Sequence, residues 1–152
     1  MKRTYLMLLV ILLLLAACSP TTETTTPTTE PLPTAPANPE QGKATVVGRA
    51  LSLLTGEPLG NTMVRLAEVV RQGDQAAFVL DAAFSPGATT DAQGYFTMEN
   101  ILPMEYVIVV GNIEVYQGYE IIQDETGLAK PVEIKADEVT DLKDLRVNIG
   151  GQ

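Results

Sequence analysis

The chain has 152 residues, a formal net charge of −9, one cysteine, and neither histidine nor tryptophan. An acidic balance of this size excludes nucleic acid as a partner and disfavours an anionic membrane surface. The missing histidine removes the usual general base, the usual zinc ligand sets and the Ser-His-Asp constellation together.

The N-terminus reads MKRTYLMLLVILLLLAAC, with Lys2 and Arg3 ahead of an unbroken apolar run from Leu6 to Ala17. This is the pattern of an export signal over residues 1–17. Its 12 apolar residues fall short of the roughly 20 that a spanning helix needs, which disfavours a retained transmembrane anchor. The closing residues Leu15, Ala16, Ala17 and Cys18 resemble the lipobox of bacterial lipoproteins. The resemblance implies cleavage between Ala17 and Cys18 and a thioether-linked diacylglycerol on Cys18. The membrane partner would then be the lipid, with the protein on the extracytoplasmic side of the cell membrane or envelope. At about 0.8 kcal/mol per buried methylene, two or more acyl chains hold a protein stably without help from its surface. Loss of Lys2 and Arg3 would leave 8 basic against 19 acidic side chains, a net −11.

Residues 18–42 hold Cys18 and the stretch SPTTETTTPTTEPLPTAPANPEQG, with eight threonines and six prolines in 24 residues. With so little to bury, the stretch reads as a disordered tether. It spans roughly 30 Å as a coil and roughly 70 Å if fully extended, enough to lift a domain clear of lipid. Its threonines would equally accept O-glycans, which the composition neither requires nor excludes.

From residue 43 to the end at 152 the pattern changes to short apolar runs of period two, separated by the turns TGEPLG, RQGDQ, SPG, DAQG, LPME and DETG. That spacing predicts one all-β domain of about seven to eight strands, stabilised without a disulfide. The predicted strands are Thr45–Leu51, Thr62–Val70, Ala77–Phe84, Tyr95–Met98, Tyr106–Val110, Tyr119–Ile122, Val132–Lys135 and Leu142–Ile149. Val64 and Leu66 share a face of the second, and Phe78, Leu80, Ala82 and Phe84 a face of the third, so both are expected to bury one side. Two sheets packed face to face satisfy that requirement. Val139, Leu142 and Leu145 also recur at helical spacing, but the alternation of Leu145, Val147 and Ile149 favours a closing strand.

The segment TDAQGYF sets Asp91 and Gly94 at the first and fourth positions of a type I turn, where a carboxylate caps amides and glycine takes positive φ. The alternative, a calcium loop, wants a denser set of oxygen ligands than Ala92 and Gln93 supply. After the turn, alternation points Tyr95 outward and Phe96 inward, and Leu102 and Tyr106 are expected to be buried as well. No metal and no cofactor is expected.

The stretches GRALSLLTGEPLGNTMVRL and TTDAQGYFTMENILPMEY, with the alternating close, resemble the carboxypeptidase regulatory-like domain. That family is a transthyretin-like (prealbumin-like) β-sandwich related to collagen-adhesin B-type repeats. The resemblance rests on Gly48, Thr55, Gly56, Pro58, Leu59 and Val64, then Asp91, Gly94, Phe96, Asn100, Leu102, Pro103 and Tyr106. It implies a noncatalytic module for recognition, spacing or assembly. Met104 stands where the family usually has glycine. Lys43 and Asn148 lie at the two ends of the domain, as in relatives that form a Lys–Asn isopeptide bond. Val110, however, occupies the position of the promoting glutamate, so no cross-link is expected.

Three functional readings follow. Catalysis would have to use a carboxylate pair such as Glu99 and Glu105, and acids flanking turns are ordinarily solvated; the chain is not expected to be an enzyme. A glycan would contact exposed tyrosines, with Tyr95, Tyr116 and Tyr119 as candidates. An envelope protein could instead cover Val107 and Val109, which alternation turns away from the core, although the connection carrying Tyr116 is the favoured cover.

Overall fold

A computed structural model describes residues 38–149. The leader, Cys18 and the tether as far as residue 37 lie outside the described residues. The nine strands are β1 (Ala44–Ser52), β2 (Met63–Gln72), β3 (Gln75–Val79), β4 (Gly87–Thr89), β5 (Tyr95–Ile101), β6 (Glu105–Gly111), β7 (Tyr119–Ile121), β8 (Pro131–Glu133) and β9 (Val139–Val147). Among the described residues there is no helix.

The strands form a β-sandwich. One sheet has the order β5-β1-β9, with β1 antiparallel to β5 and parallel to β9. The other runs β3-β2-β6-β7, with β4 added beside β2 and β8 beside β6. Side chains of period two from both sheets meet between them: Val46, Ala50, Phe96, Met98, Leu145 and Val147 from the first, and Val64, Leu66, Tyr106, Ile108 and Val110 from the second. Each fully buried aliphatic side chain of this set stabilises the fold by roughly 2 kcal/mol through removal from water. Gly48 lies opposite Phe96 in the β1–β5 register, and a β-carbon there would stand 2.7 Å from the Phe96 ring. Absence of a side chain at residue 48 is what lets that ring lie in the core.

Strand β6 is buried on both sides. Val107 and Val109 join Ala67 in a second apolar cluster on the outer face of the larger sheet, with Leu80, Ile113, Ile121 and Ala129 packed against it. The cover for the outward valines therefore comes from within the chain. The connection after β6 contributes Ile113 to it, while Tyr116 stays 90% exposed.

Three expectations are corrected. The run Ala77–Phe84 does not bury one face: of Phe78, Leu80, Ala82 and Phe84 only Leu80 packs against an apolar cluster, β3 ends at Val79 with none of its residues buried, and Phe84 is 87% exposed. The smaller sheet has three strands against six, and no inner-face neighbour buries this arm. Leu102, expected inside, is half exposed because it sits in the turn after β5. The stretch around SPG, read as a turn, also contains the short strand β4, paired to Met63–Arg65. The segment with competing helical spacing is β9, a strand hydrogen-bonded along β1.

Met104 makes the turn before Tyr106 without positive φ; the nearby positive φ is at Asn100 (61°), inside β5 where its register against β1 shifts. Asparagine tolerates this region because its short amide can bond locally. In the parallel β1–β9 pair Thr45 faces Val139 and Ser52 faces Val147. Lys43 thus precedes one end and Asn148 follows the other, roughly 30 Å apart at about 3.3 Å per strand residue. That separation forbids a Lys–Asn bond irrespective of Val110.

Candidate functional site

The Asp91–Gly94 turn is satisfied from within. Asp91 Oδ1 accepts the backbone N–H groups of Gln93 (2.9 Å) and Tyr95 (2.8 Å). Gly94 N donates to Asp91 O at 3.0 Å and has φ of 83°, and a β-carbon there would stand 2.5 Å from Ala50 O. The Oδ1 oxygen of this carboxylate thus serves the turn, capping two of its backbone amides.

The three tyrosines do not form one platform. Tyr95 lies on the outer face of the smaller sheet, where the Arg49 guanidinium sits 4.8 Å from its ring centroid and Arg49 Nε donates to Gln93 O at 2.8 Å. One ring face is thereby occupied by a cation. Tyr119 pairs with Gly111 on the larger sheet, on the same side as Ile121, which belongs to the outer cluster. Tyr116 stands free on the β6–β7 connection. Only Tyr116 and Tyr119 share a region. Glu99 and Glu105 project from different sheets, and Glu105 is held by Arg71 through two hydrogen bonds of 2.7 and 3.0 Å. The Arg71 bond keeps the Glu105 carboxyl below its ordinary range, so the two acids form no general acid–base pair.

A cleft of about 540 Å³ opens where the start of β2 meets the β6–β7 connection, lined among others by Asn61, Met63, Arg65, Asn112, Glu114 and Val115. Its loop wall is internally bonded: Asn112 N donates to Gly118 O (2.7 Å), Gly118 N to Val115 O (2.9 Å), and Glu114 N to Asn112 Oδ1 (2.9 Å). None of these lining residues stands out in the sequence except Arg65, a charge set between Val64 and Leu66. The tertiary meeting of β2 with a loop 50 residues later is what makes them a site.

At the opposite edge, β2 and β3 continue as a hairpin arm in which Val70, Phe78 and Val79 are exposed. Four strands end the two sheet orders: β3, β5, β7 and β9. Glu99 lies in β5, Glu120 in β7, Glu133 in the short β8, and Asp141, Lys143, Asp144 and Arg146 in β9; only QAAFV of β3 and the three-residue GAT of β4 have no charged side chain, and β3 is the longer of the two. Natural edges are ordinarily blunted by charge, proline or a bulge, and β9 has both charge and a register shift.

No protein-family model matches the chain. No curated protein matches it in sequence. Among solved structures it is similar to a 9R-lipoxygenase from Cyanothece (13% identity, TM-score 0.40), covering 71% of this chain and 17% of that one. It is also similar to a candidate carbohydrate-binding protein from Pseudomonas aeruginosa, at 19% identity and TM-score 0.43, covering 72% of this chain and 92% of that one. The third is BcpA, the major pilin subunit of Bacillus cereus, at 13% identity and TM-score 0.40, with 71% and 30% covered. Likenesses at this level fix no ligand; that has to come from the chain's own residues.

Proposed function

We propose that the chain is a lipid-anchored, extracytoplasmic, noncatalytic β-sandwich module that recognises or assembles with another envelope protein by accepting an extended strand along β3. The observation that carries the contact reading is the uncharged, exposed edge of β3. Its unpaired N–H and C=O groups offer a ladder to an incoming strand, with Phe78 and Val79 on either face to select side chains. The resemblance of LAAC to a lipobox supports the anchor on Cys18, the Thr/Pro stretch supports a spacer, and the resemblance to the carboxypeptidase regulatory-like domain supports a noncatalytic role.

Crosslinking in intact membranes tests both parts. Ala77→Lys puts a charge on the edge and should abolish the crosslinked partner without lowering the melting temperature; a partner retained at wild-type level would overturn strand addition. Cys18→Ala should release the protein from the membrane fraction, and a mature wild type carrying no lipid by mass spectrometry would remove the anchor.

A second reading, glycan contact, is favoured by Tyr116, 90% exposed beside the cleft. Tyr116→Ala combined with Tyr119→Ala should leave the melting temperature nearly unchanged while weakening glycan binding, because exposed aromatics serve contact more than core. A double mutant that unfolds would show these rings to be structural.

A further inference from the structure

The chain has a large excess of acids, and yet one half-buried arginine has been left without any. Among the described residues Arg49 is stacked on Tyr95 and bonded to Gln93 O, Arg71 is paired with Glu105, and Arg146 lies 4.0 Å from Asp144. Arg65, the fourth, has neither an ion pair nor a hydrogen bond to another described residue, and it lines the cleft. Its stem is firmly seated: Arg65 is in register with Val109 on one side and Gly87 on the other, and a β-carbon at Gly87 would stand 3.1 Å from Arg65 Cγ. A guanidinium on a seated stem, with its donors unused, is matched by a planar carboxylate, which takes two of them side by side.

The remaining walls say what carries that carboxylate. Asn61 and Asn112 offer amide groups and Glu114 an acceptor, while Met63 and Val115 offer apolar surface. Polar groups beside small apolar surfaces match the hydroxyls and the ring face of a pyranose. The volume of about 540 Å³ lies inside the range of roughly 300–1,000 Å³ found for small-ligand sites. The bonded loop wall means the cleft exists before a ligand arrives, which spares ordering entropy. We infer that this cleft binds a uronic acid residue of an acidic glycan, with Arg65 holding the sugar carboxylate. The inference rests on the glycan reading and adds to it the charge and class of the sugar.

The test is calorimetric titration of the full chain in detergent with tri-galacturonate and glucuronate, against maltotriose and glucose. The acidic sugars should bind at least about tenfold more tightly than the neutral ones, and added salt should narrow the gap by screening. Arg65→Met keeps the stem and removes the charge, and should erase the preference; Arg65→Lys, which keeps charge and loses the fork, should fall between. Thermal melts of both variants report folding, and the comparison of sugars on the wild type needs no variant. Equal binding of acidic and neutral sugars, or a preference that survives Arg65→Met, would overturn the uronate assignment while leaving glycan contact standing. Binding of neither class would remove both.

Discussion

Two short stretches of the same sheet, EYVIVVG in β6 and QAAFV in β3, are both rich in apolar residues, and their fates are opposite. Every residue of β6 after Glu105 is buried, whereas none in β3 is. Strand β6 has sheet neighbours β2, β7 and β8, the core on one face and the Ala67–Val107–Val109 cluster on the other. Strand β3 has only β2. Apolar composition thus marks strands that can be buried, and position in the sheet decides which of them are.

The contrast is sharpest in stability. Ile108→Ala should cost about 3 kcal/mol in urea unfolding, as expected for a cavity in a closed core, while Phe78→Ala should cost less than about 1 kcal/mol. Equal costs would show that the arm packs against something after all. Next in size is Gly94→Val, expected to cost about 2 kcal/mol or more, because a β-carbon would collide with Ala50 O in a backbone with φ of 83°. The melting temperature of the wild type should be the same with and without calcium, since Asp91 Oδ1 serves the turn and no group of three acids gathers beside it among the described residues; a calcium-dependent rise would return the turn to the list of sites.

A modest effect is expected in the core at Tyr106, whose hydroxyl donates to Leu102 O at 3.2 Å. Tyr106→Phe should cost about 1 kcal/mol, the usual net worth of one such bond. Burial first, and the charge of Glu68 second, raise the Tyr106 phenol above its ordinary value. The folded state then holds this proton more tightly than the unfolded one. Its contribution is fully present below pH about 10 and is lost as pH climbs through the raised value. Denaturation curves across that window should fall more steeply for wild type than for Tyr106→Phe, and parallel curves would show that the phenol is not what titrates.

Much of the fold was legible residue by residue. Val64 and Leu66 face inward, Phe96 inward and Tyr95 outward, each as period-two alternation predicts. The run Ala77–Phe84 misled because alternation has no term for the edge of a sheet, and Gly87–Thr89 was missed because three residues are too few to show a period. Of the binding features, the exposed Tyr116 could be anticipated from the polar bend around it. The Arg65 cleft could not, since its walls lie on strands and loops far apart in the chain.

By itself the sequence determined the all-β class, the inward and outward sides of most strands and the Asp91 turn, because these depend on local periodicity and on backbone conformations that particular residues prefer. Only the tertiary structure decided which strand edge is left uncharged and open, which arginine is left without an acid, and that Lys43 and Asn148 stand at opposite ends of a parallel pair. Those are properties of strand order and register, set by the packing of residues distant in sequence, and no local pattern encodes them.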